Sequence, residues 1–504
     1  MSYKNLDRKN PNGTDNYTDY SDNLFSAYQK IEKKLEDLSK NNLSNIRKIN
    51  ALNNKIDKLE NIIAEKDKII EEQGLTILKL KSQLNKDSSN SSKPSSTNGY
   101  KKVITNRRVK SDKPIGGQKG HAPHSLNKTK LQKFIDSGDI VYKTIDVNKN
   151  AKNKNKRFIS KNVIDFQILK TLTEYRYYPD EHGKYNIPVY HNQKVQYGSN
   201  IKAFCTTLLN DLYNSTDGVT RFVDSISNGG ITLSKGTLIN WNNTLSSILS
   251  PEVENIEEKL LNSYYINHDE SNIKVNGNNF NIVCACNNKY TRLWACNHKN
   301  RNTLDKLNFL TNYKGIIVKD GTSLYDKYGF ARSQCISHIQ RYLKGIYENN
   351  SHSTPKMMSE FLTNANNLRN EYISKGKENF DDNTLSSLLN EYDSIISLWN
   401  KEYKNTIKSN FLLIEEERLL NRMSNQDKNE IIYFLKDFKV PSTNNQAETD
   451  QRNVKIKQKI GKFRSTHGAD DYSMIRSCIN TYKKNGINVL YAFSSAFEGN
   501  TIIV

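Results

Sequence analysis

"SYYINHD" at residues 263–269 and "GIIVKDG" at residues 315–321 decide how this chain folds. Each is a short run of Ile, Val and Tyr between turn residues, and each delivers an acid, Asp269 and Asp320. Runs of this length and composition read as strands buried in a sheet. As parallel neighbours, they would set both aspartates at one sheet edge, where the sites of mixed α/β sheets gather. Between them, "FNIVCAC" and "YTRLWAC" flank the turn "NNK" and read as a hairpin, and "ARSQCI" reads as a last strand. The fold class this predicts is α/β, a mixed sheet flanked by helices. An aspartate at a strand end also serves as a turn residue or helix cap. That second reading stays open on these two runs alone.

A third acid comes late. "VPSTNNQAETDQR" (residues 440–452) holds Glu448 and Asp450, and then Arg452, Lys455, Lys457, Lys459, Lys462 and Arg464 follow. The spacing predicts a helix from near Asn445, with Arg452 one turn beyond Glu448 on the same face and Lys455 and Lys459 continuing the stripe. Asp450 falls on another face and reads as charge balance. Three carboxylates at one point repel unless a cation lies between them, and hard oxygen ligands suit Mg2+ or Mn2+. Two such ions roughly 3.5–4 Å apart can clamp the attacking and leaving oxygens of a phosphodiester. The bases would hold its backbone.

Bulk composition agrees with a polyanionic partner. The 504 residues carry a net charge of +21, the footprint of a nucleic-acid binder, although AT-rich coding would also enrich Lys and Asn. Hydrophobic residues make up 35%, low for one compact globule, so part of the chain is expected to be extended or coiled. The six cysteines suggest no disulfide framework. The start of the chain lacks the apolar stretch of a signal peptide, and no run is long enough for a membrane span. A location in a reducing cytoplasm follows.

Residues 1–23 read as disordered, and residues 24–86 as a coiled coil. Tyr28, Leu35, Ile49, Ile56, Ile63, Ile70, Ile77 and Leu84 occupy a positions. Leu24, Ile31, Leu38, Leu52, Leu59 and Leu80 occupy d, and Asn42, Asn45, Lys66 and Gln73 interrupt the seam. β-Branched a with Leu d favours a parallel dimer, and one long helix packed on its own protein is the alternative. Residues 87–134 are a linker and basic arm, with Arg107, Arg108, Lys110 and Lys119 facing DNA phosphates. Its "GGQKGH" lacks the spacing of a phosphate-cradling loop. Residues 135–199 read as a small strand-rich module. Residues 200–255 read as a helix-turn-helix region, with a turn at Asn228-Gly229-Gly230 and Ser234 capping the second helix. The sheet-forming segments occupy 256–340 and 441–495, with a helical insertion at 341–440.

"NHDES", "VKDG", "CISHIQRYL", "NNQAETDQRNVKIKQKIGKFRSTHGAD" and "IRSCINTYKKNGINVL" resemble bacterial transposases of the insertion-sequence 66 family. So do "NSSKPSS", "GGQKGH", "YGSNIKAFCTTLL" and "LSKGTLINW", in the same order upstream. The resemblance spans roughly residues 30–495. It implies a ribonuclease-H-like catalytic core with a DDE triad, which falls on Asp269, Asp320 and Glu448. It also implies element ends and target DNA as substrates, accessory proteins from the same element, and a bacterial, nucleoid-associated setting. One departure is clear. The family carries a cysteine-rich zinc module after "GGQKGH", whereas residues 135–200 here contain no cysteine, so zinc is not expected. A catalytically inactive, dimeric DNA-binding remnant is the alternative. Cys284, Cys286, Cys296 and His298 read as strand residues rather than a zinc knuckle. His268 reads as packing, Glu270 as support for the site, and His338 and Arg341 as groups within reach of DNA.

Overall fold

The computed structural model describes residues 16–87, 90–91, 128–138, 141–147, 168–188, 196–350, 352–405, 411–500 and 502–504, with a few positions between 157 and 165. The first helices are α1 (Asn16–Asn85), α2 (Lys128–Asp136), α3 (Ser199–Asn210), α4 (Thr216–Ile226), α5 (Lys235–Ile248) and α6 (Ser250–Leu261). Then come β1 (Tyr265–Val275), β2 (Asn278–Cys286), β3 (Thr291–Cys296), α7 (Arg301–Leu307), β4 (Ile316–Lys319) and β5 (Ala331–Gln334). Helices α8 (Ile336–Asn350), α9 (Thr354–Ser374), α10 (Asp382–Lys404) and α11 (Phe411–Asn421) follow. After a π-turn at Arg422–Gln426 come α12 (Lys428–Ile431), α13 (Tyr433–Lys436), α14 (Asn445–Ile460), α15 (Thr466–Lys484) and α16 (Val489–Phe497).

The five strands form one mixed sheet in the order β3-β2-β1-β4-β5. β1 and β4 are parallel neighbours, as are β4 and β5, while β2 runs antiparallel to both β1 and β3. β4 is buried along its whole length, as a central strand covered on both faces must be. One face packs Ile266, Val283 and Ile317 with α6, α15 and α16. The other sets Ile273, Cys284 and Cys286 against Ala447 and Val454 of α14.

Sequence reading placed Asp269 at the end of a strand, but β1 runs on to Val275. The reason is a two-residue turn at Asn276 (φ 47°) and Gly277 (φ 83°), both left-handed, which fold β2 back onto β1. Such Asn-Gly turns match the twist of a hairpin. The parallel ladder with β4 nevertheless stops at Asn267, so Asp269 lies where β1 outgrows its parallel partner.

The N-terminal helix begins at Asn16 and runs unbroken to Asn85, so residues 16–23 are helical rather than disordered. Its a and d residues, among them Leu35, Ile49, Ile56, Leu59 and Ile63, are exposed; no described residue covers them. Just beyond its end, Lys86 pairs with Glu415 and the Asn90 amide lies 2.9 Å from Glu348 Oε2, joining the helix to the body. The expected helix pair at 216–248 forms. Ser234 Oγ accepts from Thr237 N at 3.0 Å, and Leu238, Trp241 and Leu245 are buried. The strand-rich module expected at 135–199 is not seen among its described residues, which hold one isolated bridge, Pro179 to Tyr185. Val141, Ile145, Val163, Leu169 and Leu172 lie open. Alternation of apolar residues makes a strand only when another layer covers the apolar face. No described helix is long and apolar enough to cross a membrane.

The insertion has its own core, in which Leu343 and Ile346 of α8 pack with Phe361, Tyr392, Trp399 and Phe434. Helix α6 carries a buried acid, Glu252. Val504 N donates to its Oε1 at 3.2 Å, and its Oε2 has no partner among the described residues. Burial pushes its carboxyl from 4.5 up to about 7. The folded protein therefore keeps a proton that the unfolded chain releases, and stability falls as pH rises through that window. Glu252→Gln is expected to flatten the loss of urea resistance between about pH 5 and pH 7. An unaltered pH slope would refute this.

Candidate active site

Three segments bring their acids to one corner of the sheet. β1 supplies Asp269, opposite Cys284 of β2. Asp320 follows the last residue of β4, and its Oδ1 accepts from Thr322 N at 3.1 Å. Glu448 lies in the first turn of α14, where the helix dipole favours a carboxylate. Asp269 feels the other two. Burial raises its carboxyl most, and the negative charges of Asp320 and Glu448 raise it further. The backbone N–H of Glu270 and the Lys299 cation act against this, leaving it at about 7.

Glu448 Oε1 is buried without a hydrogen bond. Arg341 Nη2 stands 3.6 Å away and His338 Nε2 3.8 Å away, both from α8. Burial and the Arg341 charge hold the His338 imidazole below its ordinary range, against the pull of Glu448 and Asp320. Glu270 contacts the Tyr325 hydroxyl and the Lys299 ammonium, and burial followed by the charges of Asp269 and Asp320 raises it to about 9. His268 is buried with its ring 4.6 Å from that of Tyr325, the packing role expected of it.

The donor set fits a hard divalent cation. All three side chains offer oxygen, the buried Glu448 Oε1 accepts no hydrogen bond from the described residues, and neighbouring acids disfavour the charged form of Asp269. The three are not drawn tightly together. Among the described residues, the group whose ligand atoms all lie within 4.8 Å of one another is Cys284, Cys286 and Asp450. There the cation is already present in the protein. Lys484 Nζ lies 2.7 Å from Asp450 Oδ2 and also donates to Asn287 O, Tyr290 O and Thr291 Oγ1. Asp450 is thus the internal ion pair tying α14 to β3 and α15, whereas Glu448 faces the acids. Cys284, Cys286 and Cys296 are buried strand residues.

Of the bases expected to meet DNA, Arg452, Lys455 and Lys459 lie exposed along α14 and Arg464 beyond its end. Arg341 is mostly buried beside Glu448. Arg107, Arg108, Lys110 and Lys119 lie outside the described residues. Two neighbours were not foreseen. Lys299 comes from the loop after β3. Arg422 comes from the insertion's π-turn, where Asp427 holds it at 2.6 Å and Gln334 at 2.9 Å. A Cβ at Gly321 would lie 2.5 Å from an Arg422 nitrogen, so the glycine after Asp320 admits this contact.

The described residues thus combine a mixed α/β sheet, a late helix with basic residues along it, and a corner of acids. The family profile described as Transposase IS66 family matches residues 195–471, more than half of the chain and all three acids. The chain belongs to the IS66 family of transposases. No curated protein matches it.

Proposed function

We propose that the protein is a DDE transposase that cuts element ends and joins them to target DNA at Asp269, Asp320 and Glu448. The observation that carries this reading is the convergence of three acids from distant segments, with their charges acting on Asp269 and an unsatisfied oxygen on Glu448. The strand order, with a long antiparallel hairpin beside two short parallel strands, supports a ribonuclease-H-like core. Mg2+ or Mn2+ held there would supply charge stabilisation at the attacking and leaving oxygens of the phosphodiester. Water attacks phosphorus at the element end and a 3′-OH leaves; that hydroxyl then attacks a phosphorus of target DNA, whose own 3′-oxygen leaves as a hydroxyl, with no covalent protein intermediate. Arg452, Lys455, Lys459 and Arg464 hold the DNA backbone beside the acids, where each neutralised phosphate releases counterions. Arg341, 3.6 Å from Glu448, would turn to a phosphate once a cation takes that carboxylate. Arg107, Arg108, Lys110 and Lys119 of the basic arm, with the α4–α5 helix-turn-helix, bind element ends. The setting is the nucleoid of a bacterium, with accessory proteins of the same element as partners.

The exposed seam of α1 is read as a parallel coiled-coil homodimer that brings two ends into one complex. Sedimentation is expected to give a dimer for the full chain and a monomer for a Leu52→Asp, Ile56→Asp variant. A monomeric wild type would refute the coil.

The test of function is labelled DNA carrying the element's ends, incubated with the protein, its accessory proteins and Mg2+ or Mn2+. Nicking and joining that stop on chelation are expected. Binding without cleavage would instead favour the inactive remnant, to which the cysteine-free module at 135–199 lends its weight.

A further inference from the structure

Among the described residues, six α-helices have caps whose side chains accept from their own first turn: Ser215, Ser234, Asn300, Asp381, Ser465 and Asn488. Asn444, the cap of the helix carrying Glu448, does not. Its side chain is fully buried and turned to the sheet. Nδ2 donates to the His268 carbonyl at 2.9 Å, and Oδ1 accepts from Asn267 Nδ2 at 3.0 Å. Its backbone N–H points to Cys335 Sγ at 3.2 Å, at the start of α8, and its carbonyl accepts the Glu448 N–H at 3.2 Å. One residue thus joins the strand position just before Asp269, the entrance of the helix carrying His338 and Arg341, and the first turn bearing Glu448.

Asparagine is among the residues that cap helices best through their side chains, and here the amide is spent on the strand instead. The contact partners say what that use is. Asn267 ends the parallel ladder with β4, so the tether grips β1 at the level where Asp320 leaves β4. We propose that Asn444 is a positioning residue for the cation site, fixing the separation of Glu448 from Asp269 by bonding helix to strand. This rests on the reading of Asp269, Asp320 and Glu448 as the ligands. Groups that orient ligands from behind are worth about 10–100-fold in metal affinity when removed.

The test is Mn2+ binding to the full-length protein without DNA, followed by titration calorimetry and Mn2+ paramagnetic resonance. Asn444→Ala is expected to raise the Kd for Mn2+ by about tenfold or more, and Asn267→Ala, which removes the strand-side partner, by less. In nicking assays the Asn444→Ala defect is expected in kcat and in the Mn2+ concentration needed, with the KM for DNA unchanged. A merely structural role would lower the melting temperature and leave the Mn2+ affinity of the folded fraction alone, and that result overturns the proposal. If Asn444→Ala does not fold, wild-type Mn2+ affinity in Asn267→Ala overturns it equally. Asp269→Ala separates the two readings. Loss of Mn2+ binding there with none in Asn444→Ala sinks the positioning role alone. No Mn2+ binding by wild type, or undiminished binding by Asp269→Ala, sinks both.

Discussion

Alanine at Asp269, Asp320 or Glu448 is expected to lower Mg2+- or Mn2+-dependent nicking by about 10³-fold or more, roughly 4 kcal/mol of transition-state stabilisation. DNA binding should persist, because the bases along α14 and beyond it are separate from the acids. The three substitutions should also be far from additive, since ligands of one site act as a unit. Each acid comes from a different segment: mid-β1, the residue after β4, and the first turn of α14. Loss of any one therefore leaves the other two repelling each other without full compensation. Gel assays on labelled element ends check this. Nicking that survives all three substitutions would remove the triad from the mechanism.

The second large effect is one of stability. Trp399→Ala is expected to destabilise the helical insertion by about 3–5 kcal/mol. Trp399 is wholly buried, and its Nε1 donates to Glu416 Oε1 at 2.6 Å. Glu416 is itself buried, also taking Asn350 Nδ2 at 2.6 Å and lying 2.7 Å from His352 Nδ1. Truncation would open a cavity and strip a hydrogen bond from a buried carboxylate at once. The insertion carries Arg422 to Gly321, and Arg369 of α9 donates to the carbonyls of Phe438 and Val440 at 2.6 and 2.8 Å, just before α14. Its loosening should therefore reach the acids. Denaturant unfolding checks the size, and a loss under about 1 kcal/mol would show that the cluster repacks around the gap.

How far the sequence carries depends on the range of the interactions. "GIIVKDG" betrays its strand because three consecutive apolar residues, Ile316 to Val318, suit a central strand covered on both faces. Ser234 and the Asn228-Gly229 turn are equally plain, because capping and left-handed backbone are local chemistry. The extension of β1 past Asp269 was also local. Asn276-Gly277 is a strong hairpin signal, and its two left-handed residues set the end of β1 six residues past the acid. Nothing local tells that Asn444 forgoes its cap, that Lys299 reaches Glu270, or that Arg422 returns from the insertion to Gly321. Those contacts exist only once distant elements pack. The apolar residues of 135–199 depend on packing too: those described there, such as Leu169 and Leu172, lie open.

The central claim is that Asp269, Asp320 and Glu448 together hold the cation. Anomalous scattering from crystals grown with Mn2+ tests it most directly. One or two Mn2+ peaks within oxygen-ligand distance of all three carboxylates, at about 2.0–2.6 Å, are predicted. A peak at Cys284, Cys286 and Asp450 instead, or none near Asp269, would contradict the account.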